Sequence, residues 1–113
     1  MKLRIVPTLR TALVLAAAML ALAASTRAQD APALFKARCS VCHGADGSGN
    51  SAMGKTLGAP DLHSDAVQKL SDTQLIDAIT NGVGKKMPAF KDKLTDVQIK
   101  SLVGYIRDLV RKK

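Results

Sequence analysis

Residues 39–43 read Cys39-Ser40-Val41-Cys42-His43, and this stretch decides how the rest of the chain is interpreted. The two cysteines are three residues apart, so in a helix their thiols lie about one turn apart. A disulfide between them would close a very small loop and would remove little chain entropy from the unfolded state. The pair therefore needs an explanation other than covalent stabilisation of the fold.

The C-x-x-C-H spacing is typical of covalent haem attachment. Two thiols one turn apart can each add to one vinyl group of a haem, and the adjacent His43 is then carried beneath the iron, where its imidazole can bind. Two other interpretations stay open. Cys39 and Cys42 could form a redox pair, although such a pair normally follows a strand in a βαβ unit. They could also bind zinc with His43 and His63, although adjacent ligands would strain a tetrahedral site.

The first 28 residues are predicted to be a cleaved signal peptide. A basic start precedes an unbroken apolar run of 13 residues, 12–24, which fits a secretory signal and is short for a membrane span of roughly 20 residues. Small residues favour cleavage after Ala28, with Ala23 as the alternative site and an uncleaved anchor as the competing interpretation. We therefore expect a periplasmic domain of residues 29–113 with no further membrane span.

Length and charge limit the function of that domain. The chain has 113 residues, which allows one domain and excludes a multidomain enzyme. Its hydrophobic fraction of 47% is too high for a disordered protein. The formal net charge is +8, but residues 29–113 hold 13 basic and 9 acidic side chains, a net charge of +4. Export, the motif and this modest charge argue against nucleic-acid binding.

Helical and loop patterns cover the domain, and it contains no alternating strand pattern. Pro32 suits a first helical turn, and the absence of a later breaker predicts a helix over 31–38. Five glycines among small polar residues predict a loop over 44–58, and a second loop is expected over 82–94. A short helix is expected over 64–70.

Two further helices begin with capping boxes. Ser71 and Gln74 have the spacing of this motif, and so do Thr95 and Gln98. Apolar residues at helical spacing follow both boxes, and Gly82 is expected to end the first helix in the left-handed conformation. The sequence therefore predicts an all-α domain whose long loops wrap around a bound group.

Residues shared with a known family accompany the motif. They are Phe35, Asp46-Gly47, Ala59-Pro60-Asp61-Leu62, Asn81-Gly82, Met87-Pro88-Ala89-Phe90, and Leu102 with Tyr105. With them, residues 31–110 resemble a small bacterial class I c-type cytochrome, of the cytochrome c6-like kind or the kind in the diheme subunit of cbb3 oxidase. The chain departs from that pattern in having no Trp and in having Ala31 where many relatives have Gly. The resemblance implies a small cytochrome c fold, with three to five helices and long loops around one covalently attached haem c.

The resemblance also implies which residues hold this haem. Cys39 and Cys42 carry the thioether bonds, while His43 and Met87 bind the iron as axial ligands. Pro88 independently biases Met87 away from helical backbone, as a loop that approaches a flat cofactor requires. With both axial positions filled, the iron has no open site for a substrate, which favours electron transfer over oxygen or peroxide chemistry.

Four more residues have weaker assignments. Met53 in the glycine-rich loop and His63 are alternative second ligands of the iron. By resemblance, the carbonyl of Pro60 accepts a hydrogen bond from the ligating histidine, and Phe90 packs against the haem. An ordinary turn proline is the competing interpretation of Pro60.

These features predict a periplasmic monohaem cytochrome, monomeric and not an enzyme, that carries single electrons between redox partners. Four lysines flank the methionine ligand: Lys85, Lys86, Lys91 and Lys93. A positive ring there would attract an acidic oxidase, reductase or dehydrogenase, whereas the competing interpretation is a solvated loop. Two other functions stay open: a thiol–disulfide oxidoreductase that uses the cysteine pair, and a haem c subunit of a dehydrogenase or oxidase complex.

Overall fold

The computed structural model describes residues 30–112, together with residues 13, 14, 16 and 17. Those four residues are helical and lie in the predicted apolar run. The rest of the predicted signal peptide, with both cleavage sites, lies outside the described residues, so its assignment stays a prediction. Among the helices that are described, none is long and apolar enough to cross a membrane.

Six helical segments follow one another along residues 31–111. They are α1 (Ala31–Arg38), α2 (Ser40–His43), α3 (Ala52–Leu57), α4 (Asp65–Gln68), α5 (Asp72–Asn81) and α6 (Asp96–Arg111). Residues 30–112 contain no strand, and their one isolated β-bridge joins Val83 and Met87. The predicted all-α fold is therefore confirmed, with three helices of eight or more residues and three shorter segments.

The two longest helices begin at the predicted capping boxes. The N–H of Gln74 donates to Ser71 Oγ at 3.1 Å, and the N–H of Ser71 donates to Gln74 Oε1 at 2.8 Å. Thr95 and Gln98 form the same pair of bonds at 3.2 and 2.9 Å. Gly82 ends α5 with φ 79° and ψ 177°, so its φ is positive as predicted, but its backbone is extended and not left-handed helical.

The glycine-rich segment departs from the prediction of one loop over 44–58, because α3 occupies part of it. Ser51 caps the N-terminus of α3, and Gly58 ends it in the left-handed conformation with φ 70° and ψ 38°. The sequence pattern concealed this helix because Gly54, in its middle, has a low helix propensity. The reason for a glycine at that position is its contact with α2, which is described below.

Helix α6 packs against both α1 and α5 and forms the centre of the core. Phe35 on α1 meets Tyr105 on α6 with ring centroids 5.0 Å apart and an interplanar angle of 49°. Phe35, Ile99 and Leu102 are the largest fully buried side chains of the described residues. Several core residues pack against the other helices on one side and face a cavity lined by the motif on the other.

Candidate functional site

The cysteine and histidine side chains of the motif are carried by α2 and the residue before it. The N–H of Cys39 donates to the carbonyl of Phe35 at 2.8 Å, and the N–H of His43 donates to the carbonyl of Cys39 at 2.9 Å. Gly44, with φ 77°, then turns the chain away from the helix. The motif thus forms one helical turn directly after α1, as its spacing predicted.

A cavity of about 430 Å³ opens beside this turn, within the size range of cofactor sites. Most of its lining is apolar, no carboxylate lines it, and two of its lining side chains are cationic, those of Arg38 and Lys86. Six residues of the predicted site line the cavity together: Cys39, Cys42, His43, Pro60, Met87 and Phe90. The fold therefore brings two distant parts of the sequence, the motif and the Met-Pro segment, to one cavity.

The alternative ligands lie elsewhere. Met53 is 48% exposed and does not line the cavity. His63 also lies outside the lining, and its Nδ1 is 2.7 Å from Asp61 Oδ1. Among the candidates for a second iron ligand, only Met87 therefore shares a cavity with His43.

Backbone hydrogen bonds hold the segment that carries Met87. The N–H of Val83 donates to the carbonyl of Met87 at 3.0 Å, and the N–H of Met87 donates to the carbonyl of Val83 at 3.2 Å. Gly82 is required at this turn, since a Cβ there would lie 2.5 Å from the carbonyl oxygen of Met87. The N–H of Phe90 donates to the carbonyl of Ile79 at 3.0 Å and ties the segment to α5.

His43 Nδ1 is buried and has no hydrogen-bond partner among the described residues. The predicted bond from His43 to the carbonyl of Pro60 is thus not formed, although Pro60 does line the cavity; its role stays a prediction. Burial lowers the pKa of His43, which favours the neutral imidazole, the form that binds metal ions. An unpaired buried ring nitrogen is rare in a folded protein, so the ring of His43 lacks a hydrogen bond that its Nδ1 would ordinarily make.

Cys39 and Cys42 are both free and half-buried. Burial, and secondarily the neighbouring Cys42, raises the pKa of the Cys39 thiol to about 11. Since redox-active cysteines act as thiolates, this environment does not favour a thiol–disulfide oxidoreductase. No group of three or more His, Cys, Asp or Glu side chains in the described chain is arranged to hold a metal ion, so this arrangement does not support the zinc alternative of Cys39, Cys42, His43 and His63.

The sequence revealed the polar groups of the site but not its apolar wall. Leu75 and Ile79 were recognisable as the apolar face of a helix, and both line the cavity. Leu62, Val67 and Leu94 line it as well, and no periodic apolar pattern indicated this, because they lie in loops or in a helix of only four residues. Only the tertiary fold brings these side chains together.

These residues fit a haem. Apolar walls suit the flat porphyrin, and Arg38 and Lys86 suit a cofactor that carries carboxylates. The motif adds two thiols and an imidazole to the lining, while Met87 adds a thioether. An all-α domain built around such a cavity is a c-type cytochrome domain.

Comparisons with known proteins agree with this class. Residues 26–106 match the family described as "Cytochrome C oxidase, cbb3-type, subunit III". The cytochrome c6 of Leptolyngbya boryana is 37% identical over 79 residues, which cover 70% of this chain and 88% of that protein. A solved structure, the KustC0563 c-type cytochrome, is 36% identical with a TM-score of 0.66. The matched residues cover 71% of this chain and 96% of the chain of that structure.

The oxidase subunit CcoP of Azospirillum brasilense is 36% identical over 83 residues, which are 73% of this chain and 28% of that subunit. The chain thus spans about a quarter of the length of the cbb3-type relatives that it matches. The chain belongs to the cbb3-type cytochrome c family. It is a cytochrome c domain of the kind found in a cbb3 oxidase subunit or a c6-like electron carrier, and its cofactor is covalently attached haem c.

Proposed function

We propose that this chain is a periplasmic monohaem cytochrome that carries single electrons between redox partners through a His/Met-ligated haem. The observation that supports the proposal is the single cavity lined by Cys39, Cys42, His43 and Met87. Together they offer two thiols, an imidazole and a thioether to one bound group. When bound, the haem supplies an iron that accepts and releases one electron.

The residues of the cavity have separate tasks in this proposal. Cys39 and Cys42 hold the cofactor covalently, and the hydrogen-bonded turn of α2 sets their position relative to His43. His43 and Met87 would both bind the iron, and a thioether ligand would raise the reduction potential. With both of these ligands supplied by the chain, the iron would have no position left for a substrate. The protein therefore acts as a carrier and not as an enzyme.

The lysines beside Met87 support an acidic partner. Lys86 lines the cavity, and Lys85, Lys91 and Lys93 are exposed near it in the chain. Lys93 Nζ lies 5.8 Å from the centre of the Phe90 ring. A positive surface next to the cavity would steer an acidic redox protein to the edge of the cofactor. We propose that the chain is monomeric and meets such partners transiently.

A second function is favoured by the family match and the CcoP relative. The same cavity could serve as a fixed electron-transfer domain of an oxidase complex. Affinity purification from native membranes and periplasm separates the two proposals. A free carrier is recovered alone in the periplasmic fraction, whereas a subunit is recovered with a larger enzyme in the membrane fraction.

The proposed location rests on residues 1–28 as a cleaved signal and 29–113 as the cytochrome domain. The basic start and the apolar run over 12–24 support it. Intact mass of the exported protein tests it. Cleavage after Ala28 gives a chain that begins at Gln29, cleavage after Ala23 one that begins at Ala24, and an unprocessed mass contradicts the signal.

One experiment tests the haem site. The full chain is exported in a host with haem-attachment machinery, and holoprotein is measured by intact mass and by the pyridine spectrum of the denatured protein. We expect one haem per chain in the wild type, lower yield in C39A and in C42A, and no covalent haem in the double variant. Val41→Ala is the control, because it changes the motif without removing a thiol. An apo mass for the wild type, or haem retained by the double variant, refutes the assignment.

A further inference from the structure

The last carbonyl groups of α2 have no partners within the helix, as at any helix C-terminus. Ser51 Oγ lies 2.8 Å from the carbonyl oxygen of Val41 and 3.0 Å from that of Cys42. The N–H of Gly49 donates to the carbonyl of His43 at 2.7 Å. Three consecutive carbonyls of the motif, up to and including that of His43, are therefore held by residues 49–51.

Ser51 makes bonds in both directions. Its hydroxyl donates toward the carbonyls of Val41 and Cys42 and accepts the N–H of Gly54 at 2.9 Å, which caps α3. A hydroxyl can do both because it has one proton to donate and two lone pairs. Ser51 therefore joins the C-terminus of α2 to the N-terminus of α3.

Two glycines show how closely the backbone of this segment is packed against its neighbours. A Cβ on Gly54 would collide with the carbonyl oxygen of Cys42, and a Cβ on Gly49 would lie 2.6 Å from the carbonyl oxygen of Ala59. Both neighbours are backbone atoms, which cannot rotate away as a side chain can. The backbone of α2 is thus fixed by direct contact with α3 as well as by the bonds of Ser51.

From these contacts we infer that Ser51 is a positioning residue for the imidazole of His43. His43 is the last residue of α2, so the position of its ring depends on the backbone of this helix. Ser51 holds the two carbonyls that precede His43 and thereby sets this backbone. The inference rests on the proposed function and deepens it, because it names a residue that orients the iron ligand without touching the cofactor.

Variants of Ser51 separate its two roles. Ser51→Thr keeps both, Ser51→Asp keeps an acceptor for the N–H of Gly54 but cannot donate when ionised, and Ser51→Ala keeps neither. Ser51→Gly removes the hydroxyl at a position where glycine is well tolerated as an N-cap, so it serves if the other variants do not accumulate. Ser71→Ala is the matched control, because Ser71 caps α5 in the same way and makes no hydrogen bond to residues 39–43.

The holoproteins are compared by covalent haem yield, by reduction potential in a spectroelectrochemical titration, and by the ferric EPR g-values, which report the ligand geometry. We expect S51A, S51D and S51G to shift the potential and the g-values, and their haem yield to fall about tenfold, the lower end of the range for residues that support a metal ligand. S51T retains the wild-type values. S71A loses thermal stability but keeps the potential and the g-values.

Two results have different meanings. A wild type without covalent haem overturns the proposed function, and this inference with it. A loaded wild type whose potential and g-values are unchanged in S51A, S51D or S51G, or are shifted as much by S71A, overturns the inference alone.

Discussion

Arg107 is expected to contribute more to stability than any other charged side chain of the fold, and its replacement by alanine tests this. Its guanidinium donates to the carbonyl of Gln68 at 2.9 Å and also to the carbonyl of Leu70. Nε and Nη2 donate to Asp72 Oδ1 at 3.1 and 3.0 Å. One side chain of α6 thus fastens the turn between α4 and α5, and Leu70 in that turn lines the cavity.

The size of the effect follows from these bonds. A hydrogen bond from a charged donor contributes about 1.5–3 kcal/mol; the lower value applies to the two carbonyl bonds because the Arg107 side chain is 24% exposed. The Asp72 side chain is 71% exposed, so that ion pair adds only about 0.5 kcal/mol. Arg107→Ala should therefore cost about 3.5 kcal/mol of unfolding free energy. For a domain of 60–100 residues this lowers Tm by roughly 14 °C or more.

Thermal unfolding of the holoprotein, followed by far-ultraviolet circular dichroism, measures the change. Arg111→Ala is the control on the same helix, because its ion pair with Asp108 is exposed and 3.6 Å long. It should cost about 0.3 kcal/mol. The Tm of R107K should lie between those of R107A and R111A, since an ammonium group cannot reproduce the hydrogen-bonding geometry of the guanidinium group. A Tm for R107A within 2 °C of that for R111A would refute the reasoning.

Three other predictions concern the site and its charges. Met87→Ala should lower the reduction potential, remove the weak absorption band of ferric iron bound to thioether and allow cyanide to bind. Met53→Ala should have none of these effects. Loss of the band in the Met53 variant alone would mean that Met87 is not the ligand. Replacing Lys85 and Lys86 by Gln should flatten the salt dependence of the second-order rate of electron transfer with an acidic partner, because exposed charges act over a Debye length of about 8 Å. The same change at two lysines outside residues 82–94 is the control. An equal effect in the control would mean that net charge alone causes the salt dependence. Hydrogen bonds from a neighbouring serine hold the pKa of Asp46 below its usual value of 3.8, so its contribution to stability is complete above that pH and is lost as pH falls through the lower folded-state pKa. Asp46→Asn should therefore weaken the acid dependence of Tm, and an unchanged dependence would contradict this origin of the shift.

Local signals in the sequence were sufficient where the physics is local. The capping boxes at Ser71 and Thr95 and the start of α1 at Ala31 depend on residues within one turn, and all three were predicted. The motif turn is equally local, because its geometry follows from the spacing of Cys39 and Cys42. Haem binding by the motif could be predicted because few other sites require two thiols and an imidazole at that spacing.

Contacts between residues far apart in the sequence could not be predicted in this way. Arg107 binds carbonyls that lie 37 and 39 residues earlier in the chain, and a backbone carbonyl has no sequence signature. The role of Ser51 was hidden for a related reason, since Gly54 made the segment resemble a loop. That glycine is present because α3 packs against Cys42, so the residue that obscured the helix is the one that allows its contact with the motif.

Most of the apolar side chains that form the core also line the cofactor site. In the part of the chain that is described, nine of the twelve buried apolar residues of the core cluster also line the cavity. A group that fills the cavity therefore packs against the very side chains that hold the helices together. Folding and cofactor binding are thus coupled, because a group bound only by the folded chain stabilises it. This coupling explains how a domain of this size, with two Phe, one Tyr and no Trp in the whole chain, can form a stable core without a disulfide, because the bound group supplies the apolar surface that the side chains lack.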